Sequence, residues 1–193
     1  MSRVSAPGEP GQREARQAAP APRGGRDATD APAPRGWVVR PATARDVARV
    51  PALYSADRRD TSAPAIAAAI HEVDACAVVA ADAATGALLG FGKTHRWGES
   101  LGPAPAGLYL GGSLVRSVAR RRGVGLALVL ARAGWAAARG EELFSVCAAD
   151  NVASVAMHRA AGFEPLAGAA GMRGIIGGGR EGLLWRAPTH EGA

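Results

Sequence analysis

The sequence predicts a mixed α/β domain folded around one sheet. Three observations carry that expectation. Segments with period-two alternation and segments with helical spacing follow one another as strand, two helices, three strands, helix, strand, helix, strands. Two of those strands, "ACAVVAAD" and "ALLGFGKTHRW", are joined by the turn-rich "AATG" and read as a hairpin. A chain of 193 residues with 48% hydrophobic content can bury a substantial core, and no internal repeat divides it.

Residues 1–36 mix Pro, Ala, Gly and both charges and hold almost no large apolar side chain. Such a segment cannot bury enough surface to offset its ordering entropy, so it is expected to be a disordered tail ahead of a domain spanning 37–193. An arginine-bearing arm that grips a partner is the alternative. The domain opens with "WVVRPA" as a short strand. "TARDVARVPALYSA" then places Val47, Val50, Leu53 and Tyr54 at helical spacing, with Thr43 as N-cap. "SAPAIAAAIHEV" is a second helix. After the hairpin, "LYLGGSLV" is a strand, "GLALVLARAGWAAAR" a long helix with an apolar face and "ELFSVCAA" a buried strand. "NVASVAMHRAAG" is a further helix that stops at Gly162. "FEPLAG", a glycine-rich segment over 168–182 to which no role is assigned, and the strand "LLWRA" complete the chain.

The composition removes several classes of function. The net charge of +6 is carried almost wholly by arginine, Lys93 being the only lysine, and the arginines are spread along the chain. Nucleic acid is therefore not an expected partner. No run approaches the roughly eighteen apolar residues of a membrane span, so no membrane partner is expected either. The first residues lack the apolar stretch of a secretory signal, and Cys76 and Cys147 give no disulfide framework, which together lead to a cytoplasmic expectation. Four scattered histidines without a ligand spacing give no support for a metal.

Chemistry concentrates in two stretches. The first is "ARRRGVGLAL", residues 119–128, where arginines and glycines precede the long helix. A helix start has unsatisfied N–H groups and the positive end of the macrodipole, and glycines let a ligand approach the backbone, so this pattern suits a phosphate. The P-loop is excluded because Lys and Ser/Thr are missing. The dinucleotide fingerprint is excluded because Leu128 stands where its third glycine belongs. What fits is [Q/R]xxGx[G/A], through Arg120, Gly123 and Gly125, although a basic helix start on a solvated face would look alike. The second stretch sets Asn151, Ser154 and His158 at i, i+3 and i+7 on one helical face. Taken singly, Asn151 reads equally well as an N-cap and His158 as a half-buried histidine.

Together the two stretches resemble the acetyl-CoA-binding core of the GNAT superfamily of N-acetyltransferases. The helix start "RRRGVG" is similar to that family's pyrophosphate motif and "NVASVAMHRAAGF" to its late helix and strand, while "VVRPATARDVARV" and "VVAADAATGALLGFG" look like its opening strand, helix and hairpin. The resemblance covers residues 37 to about 167. It implies the GNAT fold, a single central, mostly antiparallel sheet flanked by helices. It also implies direct transfer of acetyl from acetyl-CoA to an amine, without a metal. By the same resemblance, Ser113, Leu114 and Val115 hold the pantetheine arm through backbone bonds, with the Val115 N–H as oxyanion donor. The backbone of Arg120, Arg121, Arg122, Gly123, Val124 and Gly125 takes the pyrophosphate. Asn151 contacts the cofactor arm, with Ser154 a weaker candidate. His158 stands where many members have a tyrosine general acid, a variant similar to that of phosphinothricin-type and other antibiotic-modifying members.

A general base is not evident. Val146 occupies the position of a carboxylate in some members, Glu141 and Glu142 lie at that strand's start, and Glu72, Asp74 and Glu99 remain candidates. The acceptor side is expected to offer Asp57, Asp60, Glu72, Asp74 and Glu99 beside Trp97 and Tyr54, which suits a cationic small-molecule amine, an aminoglycoside-type antibiotic foremost. A protein N-terminal or lysine amine, a silent acyl-CoA-binding regulator, and a homodimeric assembly stay open. The tail gives the first prediction. Deletion of residues 1–35 should leave the melting temperature and turnover unchanged, as thermal unfolding and thiol-release assays of the truncated chain would show.

Overall fold

The structure, a computed structural model, describes residues 36–166 and 181–188. The tail and most of the glycine-rich segment 168–182 lie outside the described residues. The strands are β1 (Trp37–Pro41), β2 (Ala77–Asp82), β3 (Leu88–Trp97), β4 (Gly107–Val115), β5 (Leu143–Ala148), β6 (Glu164–Pro165) and β7 (Gly182–Arg186). The helices are α1 (Arg49–Ser55), α2 (Ala63–His71), α3 (Val124–Ala137) and α4 (Val152–Ala160). The seven strands form one sheet in the order β1-β2-β3-β4-β5-β7-β6. Every pairing is antiparallel except the one between β4 and β5. This is the mixed α/β, mostly antiparallel architecture that the sequence predicts.

The local chemistry explains where the elements start. The Ser62 hydroxyl accepts from the Ala65 N–H at 3.3 Å, and Pro64 sits in the first turn of α2, where no amide donor is required. Thr43 caps as expected, in a capping box with Asp46 that Arg40 completes through an ion pair at 2.7 Å. The helix predicted to run on from Thr43 is divided instead into a 3₁₀ turn over Ala44–Asp46 and α1. Pro51 is the physical reason: it has no N–H to return to Val47, so a continuous ladder cannot pass this point.

The core has two layers, one on each face of the sheet. On one face α1 and α2 bury Val50, Leu53, Tyr54 and Ile66 against Val79, Phe91 and Leu114. On the other, α3 buries Val124, Leu128 and Val129 against β-strand residues that include Val78, Leu89, Leu108 and Leu143, with Trp185 alongside. Between Phe91↔Leu114 and Lys93↔Gly111 the register shifts, so β4 carries one extra residue. This is a β-bulge, with Gly112 in the left-handed region at φ 55°.

Arg132 of α3 lies directly under that bulge and is fully buried. Its Nε donates to the Leu128 carbonyl at 2.9 Å, Nη1 to the carbonyls of Lys93 and Gly111 at 2.8 and 3.3 Å, and Nη2 to the Ser113 hydroxyl at 3.0 Å. No carboxylate meets it among the described residues, and burial pushes its pKa down to about 10. Gly92 makes the space: a Cβ there would stand 2.7 Å from the guanidinium carbon. Gly92→Ala should therefore cost roughly 1–3 kcal/mol of stability by overpacking. In urea unfolding, the Gly92→Ala/Arg132→Met pair should lose less than the sum of its single variants, since the smaller head group relieves the clash.

Candidate active site

β4 and β5 pair only at Leu108↔Leu143 and Tyr109↔Phe144 and then part. Parallel neighbours that lose their ladder leave a V-shaped cleft with backbone groups on its walls. Its lining combines the β4 bulge, Gly111 to Ser113, with Ser145 and Val146 of β5 and Ser154, Met157 and His158 of α4.

The bulged wall is held from both faces of the sheet. From the α1 side, the Tyr54 hydroxyl donates to the Gly112 carbonyl at 2.6 Å and Arg59 Nη1 donates to the Ser113 carbonyl at 3.2 Å. From the α3 side, Arg132 grips the Gly111 carbonyl and the Ser113 hydroxyl. Beyond the bulge, the Arg116 N–H donates to the Leu89 carbonyl at 2.9 Å and Leu114 pairs with Phe91. Antiparallel alternation then directs the N–H and C=O of Val115 away from β3. Leu114, expected to join Ser113 and Val115 in gripping a ligand arm, turns its backbone to β3 and its side chain into the α1–α2 core.

The loop from β4 to α3 has the backbone of an anion site. After a 3₁₀ turn over Ser117–Ala119, Arg121 and Gly123 both adopt positive φ, 60° and 79°, separated by Arg122. A non-glycine residue held there is uncommon and marks a loop whose conformation its surroundings enforce. Such alternation turns successive N–H groups toward a concavity. Gly123 is the N-cap of α3 and offers no side chain, so the first-turn amides of this 14-residue helix are left for a ligand.

Two residues of this loop also make contacts within the fold. The exposed Arg120 side chain lies back along the loop, its Nε donating to the Val115 carbonyl at 3.1 Å and its Nη2 to Asp57 at 2.5 Å, so it ties the loop to β4 and to the end of α1. At Gly125 a Cβ would meet the Met157 sulfur at 3.3 Å. The glycine thus permits close approach of α4 to α3.

Asn151 and Ser154 divide their roles. The Asn151 side-chain oxygen accepts from the Ser154 N–H at 3.2 Å, so Asn151 is the N-cap of α4, while Ser154 and His158 line the cleft. His158 is 3% exposed, stacked on Trp185 at 5.4 Å and met edge-on by Phe163. Its Nδ1 lies 2.8 Å from the Ser154 carbonyl, which only accepts, so Nδ1 carries the proton. In the neutral ring Nε2 then accepts from the Ser145 hydroxyl at 2.8 Å. Burial lowers the His158 pKa, the Ser154 carbonyl opposes that, and the Arg132 charge lowers it further.

The acidic residues expected on the acceptor side do not converge. Asp57 is taken by Arg120, Glu141 by Arg96, and Glu142 lies 4.0 Å from Arg186. Glu72 and Asp74 lie in the field of Arg96. The α1-side wall is aromatic instead: Trp97 stacks on Tyr109 at 4.1 Å and donates its indole N–H to His95 Nε2 at 2.7 Å. No group of three or more His, Cys, Asp or Glu suited to a metal occurs among the described residues. Ser145 and Arg132 are the site residues that the sequence reading passes over. Each leaves a trace, a lone polar residue inside "LFSVCA" and a lone charge on the Val124–Leu128 face of α3.

The sequence matches the acetyltransferase (GNAT) family over residues 46–163, more than half of the chain. No curated protein sequence matches it. Among solved structures, the fold is similar to that of the ribosomal-protein-S18-alanine N-acetyltransferase from Escherichia coli (TM-score 0.62, 15% identity, 81% of this chain and 96% of that one). It is also similar to a GNAT superfamily phosphinothricin acetyltransferase from Sinorhizobium meliloti in complex with acetyl-CoA (0.63, 21%, 82% and 91%). A third likeness is to NAA60 from Arabidopsis thaliana with a bisubstrate analogue (0.63, 16%, 81% and 99%).

The loop geometry generates a prediction of its own. Arg121 and Arg122 are exposed, so Arg121→Glu/Arg122→Glu should fold normally yet bind a CoA thioester at least tenfold more weakly, read by titration calorimetry. The wild-type affinity should also fall more steeply with salt than that of the variant.

Proposed function

The chain belongs to the acetyltransferase (GNAT) family and takes acetyl from acetyl-CoA, and from that premise we propose that it acetylates a primary amine of a small molecule. The observation that carries this reading is the cleft: an opened β4–β5 pair lined by the Gly111–Ser113 bulge, Ser145 and His158, with a left-handed loop between β4 and α3. In this reading the loop amides from Arg120 to Gly125 take the pyrophosphate and the Ser113 and Val115 backbone guides the pantetheine arm. The Val115 N–H then steadies the oxyanion formed when the amine attacks the thioester. Preorganised donors of this kind favour the transition state over the ground state. His158 supplies the proton that the departing thiolate needs.

An aminoglycoside-type acceptor is the favoured substrate because Asp60, Glu72, Asp74 and Glu99 are carboxylates in the segments expected to face the acceptor, Asp57 being committed to Arg120. A peptide N-terminal or lysine amine is the second reading, favoured by the dispersal of those carboxylates. Release of free thiol from acetyl-CoA over aminoglycosides, small amino acids and peptides decides between them. Transfer to peptides alone would overturn the small-molecule reading, and transfer to no amine would overturn the proposal. His158→Ala should lower the single-turnover rate roughly 10²–10⁴-fold with acetyl-CoA binding little changed.

A further inference from the structure

His158 is the proposed proton donor, yet in this structure its cleft-side nitrogen carries no proton and its ring has almost no exposed surface. Nδ1 is committed to the Ser154 carbonyl at 2.8 Å, and stacking on Trp185 fixes the ring plane. Among the described residues, the hydrogen bond at Nε2 comes from the Ser145 hydroxyl at 2.8 Å. Ser145 occupies a telling place. The last β4–β5 pair is Tyr109↔Phe144, so Ser145 is the first residue of β5 past the point where the strands part. It lines the cleft between them.

We propose that Ser145 is the catalytic residue that meets the reacting atoms, and that His158 is a positioning residue storing a proton behind it, received from the amine and returned to the thiolate. This inference rests on the acetyl transfer proposed above. The amine lone pair forms the C–N bond and the thioester carbonyl pair moves to oxygen, beside the Val115 N–H. The resulting ammonium gives a proton to Ser145 Oγ as the original hydroxyl proton passes to His158 Nε2. The carbonyl reforms, the C–S bond breaks, and its electron pair leaves on sulfur. His158 then returns the Nε2 proton to Ser145 Oγ, and the hydroxyl proton moves to the thiolate. Amide and CoA thiol are the products, and both residues are restored.

Two features favour a store over a permanent acid. First, β5 itself carries no carboxylate: Val146 is apolar where one would stand, and ahead of the strand Glu141 pairs with Arg96 and Glu142 lies near Arg186. A neutral imidazole reached through a hydroxyl supplies the missing base. Second, among the described residues no carboxylate is recorded against the His158 ring. α3 presents the Arg132 cation, β5 presents Ser145 and the Cys147 thiol, which accepts the Trp185 indole N–H from β7, and Arg186 of β7 points at Glu142. An imidazolium there is stable only while the oxyanion or thiolate is beside it, so the proton goes back when the thiolate forms.

The test uses the full chain, acetyl-CoA and the best amine from the panel, followed over a single turnover. Ser145→Ala should slow transfer about a hundredfold with unchanged acetyl-CoA affinity, while Ser145→Thr, which keeps the hydroxyl, should stay within about tenfold of wild type. Ser145→Ala/His158→Gln should be no slower than the worse single variant, because the two groups act as a unit. Nitrogen NMR of the imidazole should show a neutral, Nδ1-protonated ring at neutral pH before acceptor is added. Ser145→Ala at the wild-type rate, or an Nε2-protonated resting ring, would overturn the store while leaving acetyl transfer intact. A wild type that acetylates no amine would overturn the transfer and the store together.

Discussion

The buried guanidinium of Arg132 is the constraint on which the rest of the site depends. A cation taken out of water without a carboxylate partner costs several kcal/mol. Here, among the described residues, polarised neutral groups offset that cost, the carbonyls of Leu128, Lys93 and Gly111 and the hydroxyl of Ser113. Those partners come from α3, β3 and β4, so one head group sets the distance between helix and sheet at the point where β4 is irregular. An apolar residue could fill the same volume, but it could not turn the Gly111 carbonyl and the Ser113 hydroxyl toward α3. The charge is also felt at His158, which stays neutral partly for that reason.

The bulge is clamped from its other face by Tyr54, whose hydroxyl meets the Gly112 carbonyl, and by Arg59 on the Ser113 carbonyl. Gly112 can hold φ 55° at low strain, and the clamp leaves it no alternative. Arg120 extends the same logic to the phosphate loop by joining the Val115 carbonyl to Asp57. The β4 wall of the cleft, the loop and the end of α1 are therefore fixed relative to one another before any ligand arrives. Such preorganisation removes the cost of assembling donors during the reaction.

Much of this was legible in the chain. Periodicity located nearly every element, Thr43 announced itself as an N-cap, and the i, i+3, i+7 spacing selected the helix that carries Ser154 and His158 to the cleft. What the residues could not disclose were facts of tertiary contact. The adjacent Gly111 and Gly112 hint at a bulge, but its direction depends on Arg132 and Tyr54, 20 or more positions away in the chain. Gly125 reads as room for a phosphate, and the sequence gives no sign that Met157 also needs that room. Asp57 and Arg120 look like ligand groups in isolation and are partners in the fold. Pairing of charges over long separations has no local signature, and acceptor chemistry depends on that pairing.

The short β4–β5 pairing has a mechanical consequence. With only Leu108↔Leu143 and Tyr109↔Phe144 bridging them, the sheet is two panels, β1 to β4 and β5 with β7 and β6, joined along a seam of two rungs. A sheet is stiff where its ladder is continuous, so compliance concentrates at this seam. An extended ligand arm laid along the open edge of β4 would act as a splint across it. Amide exchange in β5 and β7 would then slow on ligand binding even at positions that touch no ligand atom, and the unliganded chain would carry in its interior the kind of unpaired strand edge that proteins usually protect at their margins.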